Sequence, residues 1–267
     1  MFVHYTALVL DGSREMDSSF LAKFCFKPEY RGYLGIEREC FLTDDGKVTP
    51  RATSILELLP SGGTYGYELS ACQLEMRTKP SLLMDLYVEL EEIQSLAEIA
   101  ARELGLELRY IPVAPEDMPI DVYPDPTGRY ARIVEMLPHP TLVAACRVAA
   151  VHIHLGVRDP DEAIDVYNRL VEHFDELKSM GNTCNGQRLA LYRLMASDAT
   201  PQTYASWEEY CYVMQAKGYI EDPRQCWDMI RISTHGTIEV RVFDSVPDIK
   251  RIVNWAETIF RLSGIVL

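Results

Sequence analysis

The stretch YLGIERECF, Tyr33–Phe41, decides the fold because it places charged residues at alternating positions within a β-prone run. Side chains at positions i and i+2 of a strand point to the same face, so Glu37 and Glu39 are predicted to lie side by side. Two carboxylates at that separation repel each other unless a positive charge lies between them. Carboxylate oxygens are the ligands that a hard cation such as Mg²⁺ prefers. The alternative is a pair of solvated carboxylates on an exposed strand face.

Composition limits the class of protein. The chain has 267 residues, of which 48% are hydrophobic and 25% charged, as is typical of a soluble globular protein. This length permits one large domain or two small ones with an ample core. No internal repeat or clear linker divides the sequence, which favours a single domain over residues 1–267. A net charge of −14 argues against nucleic-acid and anionic-membrane partners. Seven scattered cysteines without a CxxC pair predict reduced thiols and a cytoplasmic location.

Hydrophobic periodicity and turn residues predict strands and helices interspersed along the chain. The predicted strands are Phe2–Leu10, Tyr33–Thr43, the region Tyr65–Thr78, Leu106–Val113, a long strand within Thr141–Val157, Trp227–Ser233 and Thr237–Asp244. The predicted helices are Leu82–Leu104, Gly128–Leu137, a helix capped by Asp159 or Asp161 that ends near Met180, Gln187–Ala196, Trp207–Ala216 and Asp248–Leu262. This pattern favours an α+β fold with an antiparallel or mixed sheet and helices on one face.

Four strand segments carry polar residues at alternating positions, and burying such residues without partners is costly. These residues are Glu37 and Glu39, then Glu68, Gln73 and Glu75, then His152 and His154, and finally Glu239 and Arg241. We therefore expect one concave sheet face lined by acids, imidazoles and an arginine. A carboxylate-rich site with one or two histidines suits Mg²⁺ or Mn²⁺ better than zinc.

The second segment has a geometric difficulty. An odd number of residues separates Glu68 from Glu75, so a regular strand would place them on opposite faces. Both reach one site only if a bulge or turn intervenes, for which Ala71-Cys72 is the natural position. Glu75 is therefore the stronger of the two candidates.

Each of the other polar pairs also has a purely structural interpretation. The histidines His152 and His154 can be core residues whose hydrogen bonds are satisfied. Glu239 and Arg241 can form a cross-strand salt bridge, and Arg231 can be a surface arginine. The sequence alone leaves these alternatives open.

Four motifs, in the order in which the family has them, resemble those of the carboxylate–amine ligases of the glutamate–cysteine ligase type. These enzymes share the fold and the use of metal ions with glutamine synthetase. The motifs are GIEREC, ELSACQLEMRT, VHIHLGV and WDMIRISTHGTIEVRVFD, and together they span about residues 33–245. The resemblance implies a funnel of antiparallel strands with helices on its outer face, as in the glutamine synthetase catalytic domain. ATP would enter one end of this funnel and the other substrates the opposite end.

The same resemblance implies roles for individual residues. One divalent ion would be held by Glu39, Glu75 and Glu68, and a second by Glu37, His152 and Glu239. His154 would lie near the nucleotide phosphates, Arg231 and Arg241 would face the transferring phosphoryl group or the substrate carboxylate, and Arg193 would line the pocket. The chain is shorter than typical members of the family, and HIH stands where relatives often have HVH. The shorter chain leaves the identity of the substrates open, and it affects the expected ligase reaction less.

These implications predict an ATP- and Mg²⁺- or Mn²⁺-dependent enzyme that joins a glutamate-like carboxylate to a cysteine-like amine through an acyl phosphate. Its partners would be small molecules, with a homodimer as a further possibility. Two other classes compete with this prediction. A two-metal hydrolase also uses acids and histidines, but it needs no ATP. A non-catalytic nucleotide- or metal-binding relative would bind ATP without turnover.

Overall fold

The computed structural model describes residues 18–196 and 199–266, and within them eight strands form one sheet in which every paired neighbour is antiparallel. The strands are β1 Leu34–Asp44, β2 Lys47–Val48, β3 Tyr65–Tyr67, β4 Gln73–Arg77, β5 Glu107–Arg109, β6 Ala150–Gly156, β7 Ile230–Ser233 and β8 Thr237–Asp244. Their order across the sheet is β3-β4-β1-β6-β8-β7, while β2 and β5 pair with the far end of β1. The predicted strand Phe2–Leu10 lies outside the described residues.

Helices separate many of these strands along the chain. Residues 18–21 are helical, and the helices that follow them are α1 Ala52–Leu58, α2 Leu86–Glu103, α3 Arg129–Met136, α4 His139–Arg147, α5 Pro160–Glu172, α6 Phe174–Gly181, α7 Gln187–Met195, α8 Trp207–Ala216 and α9 Ile249–Ser263. Several begin at side-chain caps, as when Asp159 accepts a hydrogen bond from the Glu162 amide and Ser206 from that of Glu209.

The two faces of the sheet differ in chemistry because residues alternate along each strand. On β1, Leu34 and Ile36 point to an apolar core shared with α2, α5 and α9, while Glu37 and Glu39 point to the other face. Apolar residues of β6 and β8 join that same core, and Ile252 and Trp255 of α9 pack in it. The predicted α+β fold, with an antiparallel sheet and helices packed on one face, is confirmed.

A buried arginine joins β1 to the helical layer. Arg38 points away from the acidic face, and its guanidinium donates to the carbonyls of Val246 and Pro247 at 2.8 and 3.1 Å and to Gln94 of α2. The Tyr110 ring lies 3.8 Å from the guanidinium carbon. These contacts satisfy a charge that would be costly to bury alone, and they fix β1 against the segment after β8.

A β-bulge interrupts the pairing of β6 with β8. The register shifts between Val151, which pairs with Phe243, and Ile153, which pairs with Val240. The extra residue returns Phe243 to the apolar face and places Asp244 on the polar face. At this point α6 comes very close to β8, because a Cβ added at Gly181 would lie 2.9 Å from the Val242 carbonyl oxygen.

The segment before β6 is helical where the sequence predicted a long strand within Thr141–Val157. Residues His139–Arg147 form α4, and the strand is limited to Ala150–Gly156. Pro138 is the N-cap residue and Pro140 lies in the first turn, where proline favours a helix. The apolar run that follows is compatible with either structure, so periodicity did not separate them.

Candidate active site

The ladder between β1 and its two neighbours aligns the first polar residues. Glu37 lies opposite His152 of β6 on one side and Arg77 of β4 on the other. Glu39 lies opposite Glu75 of β4. Directly paired residues of an antiparallel sheet share a face, so the backbone register alone places these five side chains together.

The ladder beyond β6 adds a second row on the same face. His154 pairs with Glu239 of β8, and Glu239 in turn pairs with Arg231 of β7. Arg241 follows two residues after Glu239 and contacts the same carboxylate. Strands β1, β6, β8 and β7 therefore carry acids at one side and arginines at the other side of a continuous polar surface.

The first acid cluster consists of Glu39, Glu68 and Glu75, each of which offers a carboxylate oxygen within 4.8 Å of the other two. Glu68 reaches this site because a turn at Ala71-Cys72 separates it from β4, as the sequence required. Burial, together with repulsion from neighbouring carboxylates, raises the pKa of all three acids, and that of Glu39 to about 8. For Glu68 the repelling carboxylate is Glu37, and a hydrogen bond with Glu75 acts in the opposite direction.

Two contacts partly compensate this cluster. The Ala150 amide donates to Glu39 at 2.8 Å, and the Arg77 guanidinium forms an ion pair with Glu75. One arginine does not compensate three buried carboxyl groups, so the metal-free cluster retains protons that a bound cation would displace. Its donor set, made of carboxylate oxygens, is the chemistry that binds a hard divalent cation.

The second cluster consists of Glu37, His154 and Glu239, whose potential ligand atoms also lie within 4.8 Å of one another. Among the described residues His154 Nε2 has no hydrogen-bond partner; it is buried, 3.5 Å from Glu37 and 4.0 Å from Glu239. The other ring nitrogen shares a 2.8 Å hydrogen bond with the Thr237 hydroxyl, which fixes the orientation of the ring. An oriented imidazole with a free nitrogen facing two carboxylates fits a metal ion.

His152 lies between the two clusters. Its Nδ1 is 3.3 Å from a Glu37 oxygen, and its Nε2 is 3.8 Å from a Glu39 oxygen. Burial and the charge of Arg241 lower the pKa of His152 to about 4, so the ring is neutral at neutral pH and available as a ligand. The resemblance implied that His152 belongs with Glu37 and Glu239. The structure instead groups His154 with that pair and places His152 within reach of both clusters.

Glu239 is held by two arginines. Arg231 donates to Glu239 at 2.8 Å and to the Cys226 carbonyl at 2.8 Å, and Arg241 pairs with the other carboxylate oxygen. Burial acts to raise the pKa of Glu239, but the two guanidinium groups outweigh it and lower that pKa below its ordinary value. Arg241 also lies 5.9 Å from the centre of the Trp227 ring. Both arginines are thus directed toward the polar face.

Arg193, the remaining predicted residue, is exposed on α7. Two other residues of that helix face β8 instead. Arg188 is fully buried in an ion pair with Asp244 at 2.7 Å and donates to the Arg241 carbonyl at 3.2 Å, while the Tyr192 hydroxyl donates to the Trp227 carbonyl. The Arg188–Asp244 pair therefore supports the backbone at Arg241.

Sequence reasoning missed Arg77, although a signal for it existed. Arg77 follows Glu75 by two residues in QLEMR, so the alternation that paired Glu37 with Glu39 assigns both to one face. The Arg188–Asp244 pair had no comparable signal, because it depends on the bulge in β8 and on the packing of α7.

No helix in the described part of the chain is long and apolar enough to cross a bilayer.

Comparison with known proteins identifies a family and several relatives of this chain. The model of glutamate–cysteine ligase family 2 matches residues 33–177, more than half of the chain. A glutamate–cysteine ligase of Halobacterium salinarum is 28% identical over 238 residues, which cover 81% of this chain and 65% of that protein. A candidate glutamate–cysteine ligase 2 of Thermobifida fusca is 28% identical over 250 residues, or 85% of this chain and 62% of the relative. The chain therefore spans somewhat less than two thirds of the length of these relatives.

A solved structure shares the fold. The crystal structure of a bifunctional glutathione synthetase from Pasteurella multocida superposes with a TM-score of 0.56 at 13% identity, covering 97% of this chain and 41% of that one. At this identity the likeness concerns the arrangement of strands and helices alone.

Proposed function

Because the chain belongs to glutamate–cysteine ligase family 2, we propose that it is an ATP-dependent carboxylate–amine ligase that forms an amide through an acyl phosphate. The observation that carries this proposal is the pair of clusters, Glu39/Glu68/Glu75 and Glu37/His154/Glu239, joined by His152 on one sheet face and bordered by two arginines. A single ligase domain over residues 1–267 is part of the same proposal.

The proposed reaction has two steps. A carboxylate oxygen attacks the γ-phosphorus of ATP, the bond to the β-phosphate oxygen breaks, and ADP leaves. The amine nitrogen then attacks the acyl carbon, the carbon–oxygen bond to phosphate breaks, and the amine loses a proton. Phosphorylation is needed because oxide is a very poor leaving group, whereas phosphate is a good one.

The acidic and the basic residues of the site would have different roles in this reaction. Bound Mg²⁺ or Mn²⁺ would neutralise and orient phosphoryl oxygens, and the two clusters are the groups that would hold it. Arg231 and Arg241 direct positive charge toward the same face and would stabilise the phosphoryl group during transfer. Since Glu239 binds both guanidinium groups, it fixes their positions as well.

The test is a ligase assay on the purified protein with ATP and Mg²⁺, screened against pairs of amino acids, with ADP release and the mass of the amide as separate readouts. We expect ADP and amide to form in equal amounts with at least one pair. Glu37→Gln should abolish both, while Glu257→Gln, an exposed glutamate of α9, should change neither. Metal-dependent hydrolysis without ATP would overturn the proposal in favour of a hydrolase. ATP binding without ADP release would indicate a non-catalytic relative.

A further inference from the structure

A cavity of 510 Å³ opens at the β3–β4 edge of the polar face, and the proposed function does not yet use it. This volume lies within the range of small-molecule sites. Its lining includes four tyrosines and two arginines: Tyr65, Tyr67, Tyr123, Tyr130, Arg77 and Arg129. Tyrosine rings beside arginine side chains suit a ligand that combines an apolar body with an ionic group.

The cavity adjoins the first acid cluster. Gly66, part of its wall, pairs with Glu75 across the β3–β4 ladder. The Arg77 guanidinium lies directly over Gly66, where an added Cβ would come within 2.6 Å of it, and the same guanidinium pairs with Glu75. Burial and the charges of Glu68 and Glu75 raise the pKa of Tyr130, which agrees with a hydroxyl close to that cluster.

The aromatic wall is preorganised. The rings of Tyr67 and Tyr123 stack at 4.2 Å with an interplanar angle of 9°. Tyr130 meets Tyr67 edge-on at 5.8 Å and 87°. Rings fixed by one another lose little conformational freedom when a ligand binds, and their faces and edges favour a planar or bulky apolar group.

The position of the cavity argues against the nucleotide as its occupant. Arg231 and Arg241, which would face the phosphoryl group, lie on β7 and β8. In the strand order β3-β4-β1-β6-β8-β7, the cavity lies at one edge of the sheet and these arginines lie toward the opposite edge. The charges around the cavity also disfavour a dicarboxylate, since three glutamates lie beside it. They favour a ligand with one ammonium group and one carboxylate.

We propose that this cavity binds the acceptor amine of the proposed ligase reaction, and that this acceptor is an amino acid with an aromatic or bulky apolar side chain. The acceptor role rests on the proposed function, whereas the binding of such an amino acid in the cavity does not. The side chain would lie among Tyr67, Tyr123 and Tyr130, with the carboxylate toward Arg129. The amino group would then point toward Glu68 and the clusters, where the acyl phosphate forms.

The test measures binding without ATP, so that it reports on the cavity independently of turnover. Calorimetric titration with L-phenylalanine should give a dissociation constant at least about tenfold lower than with L-cysteine or L-glutamate. Phenethylamine, which lacks the carboxylate, and 3-phenylpropionate, which lacks the amine, should each bind at least about tenfold more weakly than phenylalanine. Equal affinity for cysteine and phenylalanine would overturn the inference.

Variants locate the binding. Tyr123→Leu and Arg129→Ala should weaken phenylalanine binding at least about tenfold, while Tyr123→Phe, which keeps the ring, should retain it. Tyr212→Leu and Arg158→Ala are matched controls at exposed positions and should have no effect. A normal melting temperature for each variant shows that it has folded. Unchanged phenylalanine binding in Tyr123→Leu, or a loss of ATP affinity in that variant, would refute the proposed occupant.

A parallel ligase assay separates the two proposals. Amide formation with cysteine but not with phenylalanine would refute the inference and leave the proposed function intact. Phenylalanine binding that depends on Tyr123, without ADP release in any pairing, would refute the ligase function. The cavity would then be an amino-acid site without an acceptor role, which also removes the inference as stated.

Discussion

Glu37 and Glu239 lie on strands that do not pair with each other, and yet each brings a carboxylate oxygen within 4.8 Å of the other. Strand β6 separates them and contributes His154 to the same group. The two acids differ in their other partners, since Glu239 is bound by two arginines while Glu37 contacts only histidines among the pairs described. This difference predicts different consequences for their replacement.

Glu37→Gln should fold normally and lose divalent-cation affinity at least about tenfold, because it removes a ligand charge and no arginine counter-charge. Glu239→Gln should lower the free energy of unfolding by about 3 kcal/mol, since it leaves two partly buried guanidinium groups without the fully buried carboxylate that binds both. Chemical denaturation and Mn²⁺ titration of both variants measure these effects. Equal destabilisation by the two substitutions would contradict the assignment.

Glu39→Gln should remove most of the thermal stabilisation that Mg²⁺ and ATP give the wild type. A ligand that binds only the native state stabilises it by about 2.7 kcal/mol at a concentration of 100 times its dissociation constant. Without ligands the variant should be as stable as the wild type or more so, because glutamine is always neutral, whereas the buried Glu39 must take up a proton or remain charged beside two carboxyl groups when the chain folds. Melting temperatures with and without Mg²⁺–ATP test this, with Glu257→Gln as the control. Absence of a wild-type shift at millimolar Mg²⁺–ATP would contradict it.

The stability of the metal-free protein should fall as the pH rises from about 6.5 to 8. The pKa of Glu39 is raised from 4.5 to about 8, so the folded state retains a proton that the unfolded state has lost, and this stabilisation disappears as the pH passes through the folded pKa. Glu68 and Glu75 act in the same direction.

The histidines do not oppose this decline. The pKa of His152 is lowered to about 4 and that of His235 is also lowered, which adds stability as the pH rises toward 6.5 and has no effect above it. The pKa of His154 is raised, so its stabilising contribution is lost with rising pH in the same direction as that of the acids. Denaturant titrations in EDTA across this range should show the decline, and saturating Mg²⁺ should remove it. A flat profile in EDTA would show that the cluster is not buried as described.

Arg241→Lys should reduce ATP turnover at least about tenfold, or about 1.4 kcal/mol of barrier, with a nearly unchanged melting temperature. Lysine keeps the charge next to Glu239 but lacks the planar fork that binds a carboxylate and a phosphoryl oxygen at once. Steady-state kinetics and thermal melts of one preparation test the prediction. Parallel losses of activity and stability would favour a purely structural salt bridge.

Gly66→Ala should displace the Arg77 side chain, because the new methyl group would lie 2.6 Å from the guanidinium. The displaced end is flexible, so the fold should tolerate the change while the Arg77–Glu75 ion pair is lost. A double-mutant cycle with Arg77→Ala measures this, and the two substitutions should be strongly non-additive in activity. Additive effects would show that Gly66 and Arg77 act independently.

The alternation of residues along strands predicted most of the polar face from sequence. Glu37, Glu39, His152 and Glu239 share that face because the period of a strand is two, whatever the loops do. Glu68 required an inferred turn, since it lies outside β4, and the turn is present at Ala71-Cys72.

Features set by tertiary packing were not predictable in this way. The local sequence does not say which of two histidines approaches Glu239, because that depends on register between strands distant in the chain. The tyrosine cavity combines β3 with a loop more than fifty residues later, and no periodic pattern connects Tyr67 with Tyr123. Helix α4 was missed because an apolar run of that length suits a strand as well as a helix.

The bulge in β8 makes the length of that strand as important as its composition. Straightening the bulge with every residue kept would allow uninterrupted pairing with β6, yet it would turn Phe243 toward the carboxylates and Asp244 into the apolar core. Arg188 would lose its partner in the same step. Deleting Val242, by contrast, removes the extra residue itself and leaves Phe243 opposite Val151 and Asp244 opposite Ala150. A chain with one residue fewer at this point can therefore present the same side chains on each face with a regular strand, whereas a chain of this length needs the bulge.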